Sequence, residues 1–92
     1  MAKTASSQNP FEVGQSYFFR TVTYHLVGTV TATIGDFLVL EDASWVADSG
    51  RFAQALQKAT LAEVEPVGKA FLSLSSITDA FPWVHALPNC QI

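Results

Sequence analysis

The chain has 92 residues, which is room for one domain with one core. Apolar residues make up 49% and charged residues 14%, against about 25% charged in an average protein; this excludes a disordered chain. The net charge of −3, with Lys3, Arg20, Arg51, Lys58 and Lys69 scattered along the sequence, excludes a basic groove for long nucleic acid.

So few charges cannot cover the surface that a small globule exposes, so part of the apolar surface is expected to meet other copies of the chain. The single Cys90 precludes an intramolecular disulfide and fits a reducing compartment. No run approaches the roughly 18 apolar residues of a membrane span, and the polar start has no signal-peptide hydrophobic region. The expected location is the cytoplasm of a cell or a particle assembled there.

Met1–Pro10 reads as a polar arm ahead of a single domain over residues 11–92. Tyr17–Ile34 is rich in β-branched and aromatic residues and predicts strand. Phe18, Val22, Tyr24, Leu26, Val30 and Ile34 share one parity with Arg20, and five threonines and His25 hold the other, which predicts one apolar face. The segment is too long for one ordinary strand, and Gly28 marks a bend or bulge. Gly35-Asp36 predicts a hairpin turn into Phe37–Leu40, ended by Glu41-Asp42.

Trp45 and Val46 either continue that strand or cross the end of the sheet. Asp48-Ser49 offers an N-cap, and Gly50–Ala59 predicts a short helix with Phe52, Leu56 and Ala59 on one stripe. Thr60–Glu65 reads as a connection ended by Pro66. Phe71–Ile77 predicts another strand, with Leu72 and Leu74 on one face, and Phe81–Ile92 an extended tail with Pro82 and Pro88. The fold class is mostly β: a small antiparallel, partly open barrel or SH3-like sheet, with one short helix plugging an end.

Motifs for catalysis are absent: there is no G-x-S-x-G, H-E-x-x-H, C-x-x-C or phosphate loop. Cys90 with His85 or His25 would be a nucleophile held near a chain end, where geometry is poor. Two histidines do not make a metal site, and Asp36, Glu41, Asp42 and Asp48 lack the spacing of a cation loop. No cofactor is expected.

Arg20 is the most informative residue, because it interrupts an apolar face and must have a partner. That partner is either an internal carboxylate (Asp42, Asp48 or Glu41) or a ligand phosphate or carboxylate gripped in a fork. Arg51, in the first helical turn, opposes the helix dipole and either pairs with Asp48 or faces a partner or anion. Tyr24, Trp45 and Trp83, like Tyr17, carry polar groups on aromatic bodies; they pack in the core or stack on a planar ligand. His85 joins such a site or caps a carbonyl. The candidate ligand site is therefore Arg20, Tyr24, Trp45, Arg51, Trp83 and His85.

Several strings, RTVTYHLVG at 20–28, LEDASWVADSGRF at 40–52, EVEP at 63–66, ITDA at 77–80 and WVHALP at 83–88, resemble a family of short bacteriophage and prophage proteins with no established activity. The resemblance covers about residues 10–88; it implies a viral or mobile-element origin and carries over no catalytic residue. The segment between Pro66 and Ile77 is short, and the neutral end Asn89–Ile92 departs from a charged one.

The expected function is non-enzymatic: a homo-oligomer, expected as a closed ring, that binds a small anionic, nucleotide-like ligand or a host factor. The alternative is a virion or assembly protein that uses its arm and tail for subunit contacts. An Sm-like ring on nucleic acid is disfavoured by the acidic balance.

Overall fold

Alternating apolar residues and the Gly35-Asp36 turn produce a sheet in which the first four strands pair in sequence order and the fifth returns beside the first. The computed structural model describes residues 9–48, 52–58, 61 and 63–88. Five strands, β1 (Ser16–Thr21), β2 (His25–Ile34), β3 (Phe37–Asp48), β4 (Glu63–Ser73) and β5 (Ile77–Pro82), form one antiparallel sheet in the order β4-β3-β2-β1-β5. A helix, α1 (Phe52–Lys58), joins β3 to β4, and a single 3-10 turn at Leu74–Ser76 joins β4 to β5. The sheet is small and open, not a closed barrel, since β4 and β5 lie at its two edges.

Both faces of the sheet are packed. Phe18 and Phe19 are consecutive and both fully buried, so they point to opposite sides. Phe18, Val27, Val46 and Val64 form one cluster, covered by Ala55 and Leu56 of α1, by Leu61 and by Trp83 and Leu87 of the C-terminal segment. Phe19, Leu26, Val30, Leu38, Leu40, Ala43 and Leu72 form the other, with Phe11 and Tyr17 against it. The helix thus lies on a face of the sheet instead of plugging an end. Each fully buried large side chain contributes about 1.5–3 kcal/mol.

Single-parity alternation fails at two places, while the bulge at Gly28 leaves Leu26 and Val30 on the same face. The chain reverses at Val22–Tyr24, where the Thr21 N–H and hydroxyl both donate to the Tyr24 carbonyl (2.9 and 2.6 Å). The register Arg20↔His25 then puts Arg20 on the side of Val27, opposite Leu26. Gly28 does mark a bulge: the pairing with β3 slips between Val27 and Thr29. A Cβ there would meet Ala43 Cα and Cβ at 3.1 Å, tighter than ordinary contact, so a larger residue would require β3 to give by a few tenths of an ångström. A second slip between Val30 and Ala32 puts Ala32 opposite Val39, and it turns Ile34 away from the core.

Other boundaries differ from the expected ones. Glu41-Asp42 does not end β3; it forms a bulge, with Asp42 at φ 52°, a conformation Asp tolerates, and Trp45 and Val46 continue the strand. Pro66 sits inside β4 instead of ending a connection, as an edge strand allows. The strand expected over Phe71–Ile77 is broken by the 3-10 turn, and Phe81-Pro82 belong to β5. Residues 1–8, the helix entry at 49–51 and the end at 89–92 with Cys90 lie outside the described residues, as does the expected pairing of Asp48 with Arg51.

Candidate functional site

Strand register sets the surroundings of Arg20. β5 returns beside β1, so Arg20 faces Asp79 on one side and His25 on the other. Arg20 Nε donates to Asp79 Oδ1 at 2.6 Å, and Arg20 Nη2 donates to Asp79 Oδ2. The guanidinium also lies over the Phe81 ring, 5.5 Å from its centroid. The partner is thus Asp79, and not Asp42, Asp48 or Glu41. The fork raises the Arg20 pKa and lowers that of Asp79, its hydrogen bonds being the leading cause in both. With side chains 35% and 39% exposed, the pair is half-solvated.

His25, third in that row, packs edge-on against Phe18 (5.4 Å). Burial pushes its pKa down, and Arg20 pushes it further, against a smaller opposing pull from Asp79. Its Nδ1 is buried with no hydrogen-bond partner among the described residues. A neutral imidazole beside a closed ion pair has no carboxylate left to orient it, so the row lacks the layout of a nucleophile–base–acid relay.

The other predicted site residues divide between the two faces. Trp83 is buried (4% exposed) and packs on Phe18, on the Arg20 side of the sheet. Its Nε1–H donates to Ala86 O at 3.3 Å. His85 meets Trp83 edge to face (5.1 Å), and its Nε2–H donates to Leu56 O at 2.7 Å, so it caps a carbonyl of α1. Tyr24 packs on the opposite cluster. Trp45 pairs with Leu26 on that opposite side and is 40% exposed. Arg51 lies outside the described residues.

Arg20, Trp83 and His85 therefore share a face, Tyr24 and Trp45 share the other, and the single aromatic–arginine pocket is not assembled. The groove of about 450 Å³ along β5, which Asp79 lines, contains none of these five side chains. Nor do a second groove of about 450 Å³ between Ala43 and Leu87-Pro88 and a third of about 310 Å³ between Ile34 and Phe71.

That third groove is the feature missed in the sequence. At the far end of the β2–β3–β4 sheet, the registers Ile34↔Phe37, Ala32↔Val39 and Val39↔Phe71 collect apolar side chains on one face. Ile34 is 66%, Phe37 48% and Phe71 64% exposed, with Val39 as the floor. The signal was Ile34 and Phe37 flanking the turn, two large apolar residues at a hairpin tip where solvent is expected. The next row on this face is the ion pair of Lys69 with Glu41 (3.3 Å). Among the described residues no helix is long and apolar enough to cross a membrane. No protein-family model matches the chain, and no curated protein matches it.

Proposed function

We propose that the chain is a non-enzymatic, self-associating subunit of bacteriophage or mobile-element origin, with an assembly role in the host cytoplasm or in a particle. The observation that carries this is the contiguous patch of Ile34, Phe37 and Phe71 left in solvent on a chain with few charges. Contiguous apolar patches mark interaction surfaces, whereas scattered single residues do not. The resemblance of several strings to those of short phage proteins supports the origin. The sequestering of a small anionic ligand has less support: Arg20 is held in a fork by Asp79, and the polar groups of Trp83 and His85 are spent on backbone carbonyls.

Native mass spectrometry of protein purified without denaturation tests this. A defined oligomer with no added mass is the expected result. An oligomer carrying a few hundred daltons per site would transfer the function to ligand sequestration, and a monomer at every concentration would refute self-association.

A further inference from the structure

We infer that two copies of this chain pack face to face about a two-fold axis, the Phe71 ring of each filling the groove between Ile34 and Phe37 of the other. This rests on the self-association proposed above and adds its surface and symmetry. The groove, about 310 Å³, has Val39 as its floor and no ionised side chain in its lining. Its neighbouring charges are the Glu41–Lys69 pair and the exposed Asp36 of the turn between Ile34 and Phe37. With no charge in the lining itself, a second copy can cover the groove without burying an unpaired charge, whereas a strongly charged partner gains nothing from the patch.

Area points to the same occupant. Three large side chains about half to two-thirds exposed offer roughly 300 Å² of apolar surface per copy. With a polar rim, two such patches reach about 1,000 Å² of buried surface, the lower end for a specific interface. That fits a weak, concentration-dependent dimer.

Strand addition at the sheet edges is the competing geometry, and the edges are blunted. β4 carries Glu63, Glu65, Pro66, Gly68 at φ 80° and Lys69; β5 is six residues long and ends in Pro82. Charges, prolines and irregular backbone are the means by which edges resist pairing. The apolar face has no such protection. A two-fold contact uses one patch twice and needs no second complementary surface.

The test is sedimentation velocity across a concentration series, with a thiol reductant present so that Cys90 cannot link copies. The wild-type chain is expected to pass from monomer to dimer in the micromolar range. Phe71→Ser and Ile34→Ser are each expected to weaken the dimer at least about tenfold, with near-UV circular dichroism unchanged because both side chains lie outside the core. Val67→Lys, on the β4 edge and outside the groove, is expected to leave the dimer intact.

Persistence of the dimer in both serine variants, or its loss in Val67→Lys, would overturn the face-to-face contact while leaving self-association standing. A trimer or other odd-numbered assembly would overturn the two-fold. A wild-type chain that stays monomeric throughout would overturn both the contact and self-association.

Discussion

Replacing Arg20 separates the two roles this residue can have. If Arg20 ties β5 to β1 through Asp79, Arg20→Ala should lower stability; if it serves a ligand, stability should barely change. The fork is bidentate, which places it above an ordinary surface pair. But both side chains are more than a third exposed, so solvent screens the attraction, and the coupling between them is about 1 kcal/mol at most. The stacking of the guanidinium on Phe81 adds about 0.5 kcal/mol at such a site. Arg20→Ala should therefore cost up to roughly 1.5 kcal/mol, which for a domain of this size corresponds to a fall in Tm of roughly 6–12 °C.

The assay is a double-mutant cycle, with Arg20→Ala, Asp79→Ala and the double variant unfolded in urea at pH 7 and again in acid. All four are measured at low protein concentration so that association does not contribute. The acid arm has a defined sign. The Asp79 pKa is lower in the folded chain than its ordinary value of about 3.9. Its contribution is fully present above that value and is lost as pH falls through the folded pKa. The coupling should thus be about 1 kcal/mol at pH 7 and vanish in strong acid. A coupling indistinguishable from zero at pH 7, with Arg20→Ala as stable as the wild type, would refute the structural role.

Three further outcomes follow from the packing. Gly28→Ala should destabilise by about 1–3 kcal/mol in urea unfolding, because its Cβ would sit 3.1 Å from Ala43 Cα and Cβ, both on packed strands. Trp83→Ala should cost about 3–5 kcal/mol, a large share of the stability of a small domain, and Trp83→Phe markedly less, read from thermal midpoints. The His25 pKa is lowered on folding, so its contribution is present above the ordinary value of about 6.5 and declines as pH falls through the folded pKa. His25→Phe should flatten the dependence of urea stability on pH between about 7 and 5.

Much of the fold was legible because local signals sufficed for it. The strand character of Tyr17–Ile34, the bulge at Gly28, the Gly35-Asp36 turn and the short helix each depend on a few adjacent residues. The failures came where distant pairing decides. Pro66 reads as a terminator until β4 is known to be an edge strand. Leu72 and Leu74 read as one strand face until β5 must turn back, through Leu74–Ser76, to reach β1. Asp79 could not be chosen as the partner of Arg20 because the two are 59 residues apart and meet only through the β1–β5 ladder. His85 was legible in kind, as a carbonyl cap, though not its acceptor, Leu56.

The described site residues divide between the two faces, and a similar break in alternation produced the apolar patch. Grouping Arg20 with Tyr24 and Trp45 requires parity to run unbroken through Val22–Tyr24, and the reversal there puts Arg20 and Leu26 on opposite sides. Burying Ile34 requires parity to run unbroken from Val30, and the slip before Ala32 sends it outward to join Phe37 and Phe71. The slip before Ala32 inverts every later side chain on β2. Three large apolar side chains in water forgo about 1–2 kcal/mol each relative to burial. A β2 without the slip before Ala32 would have recovered part of that by putting Ile34 on the side of Val30. That one slip thus exposes the far end of the sheet, and the two-fold contact proposed above would cover it.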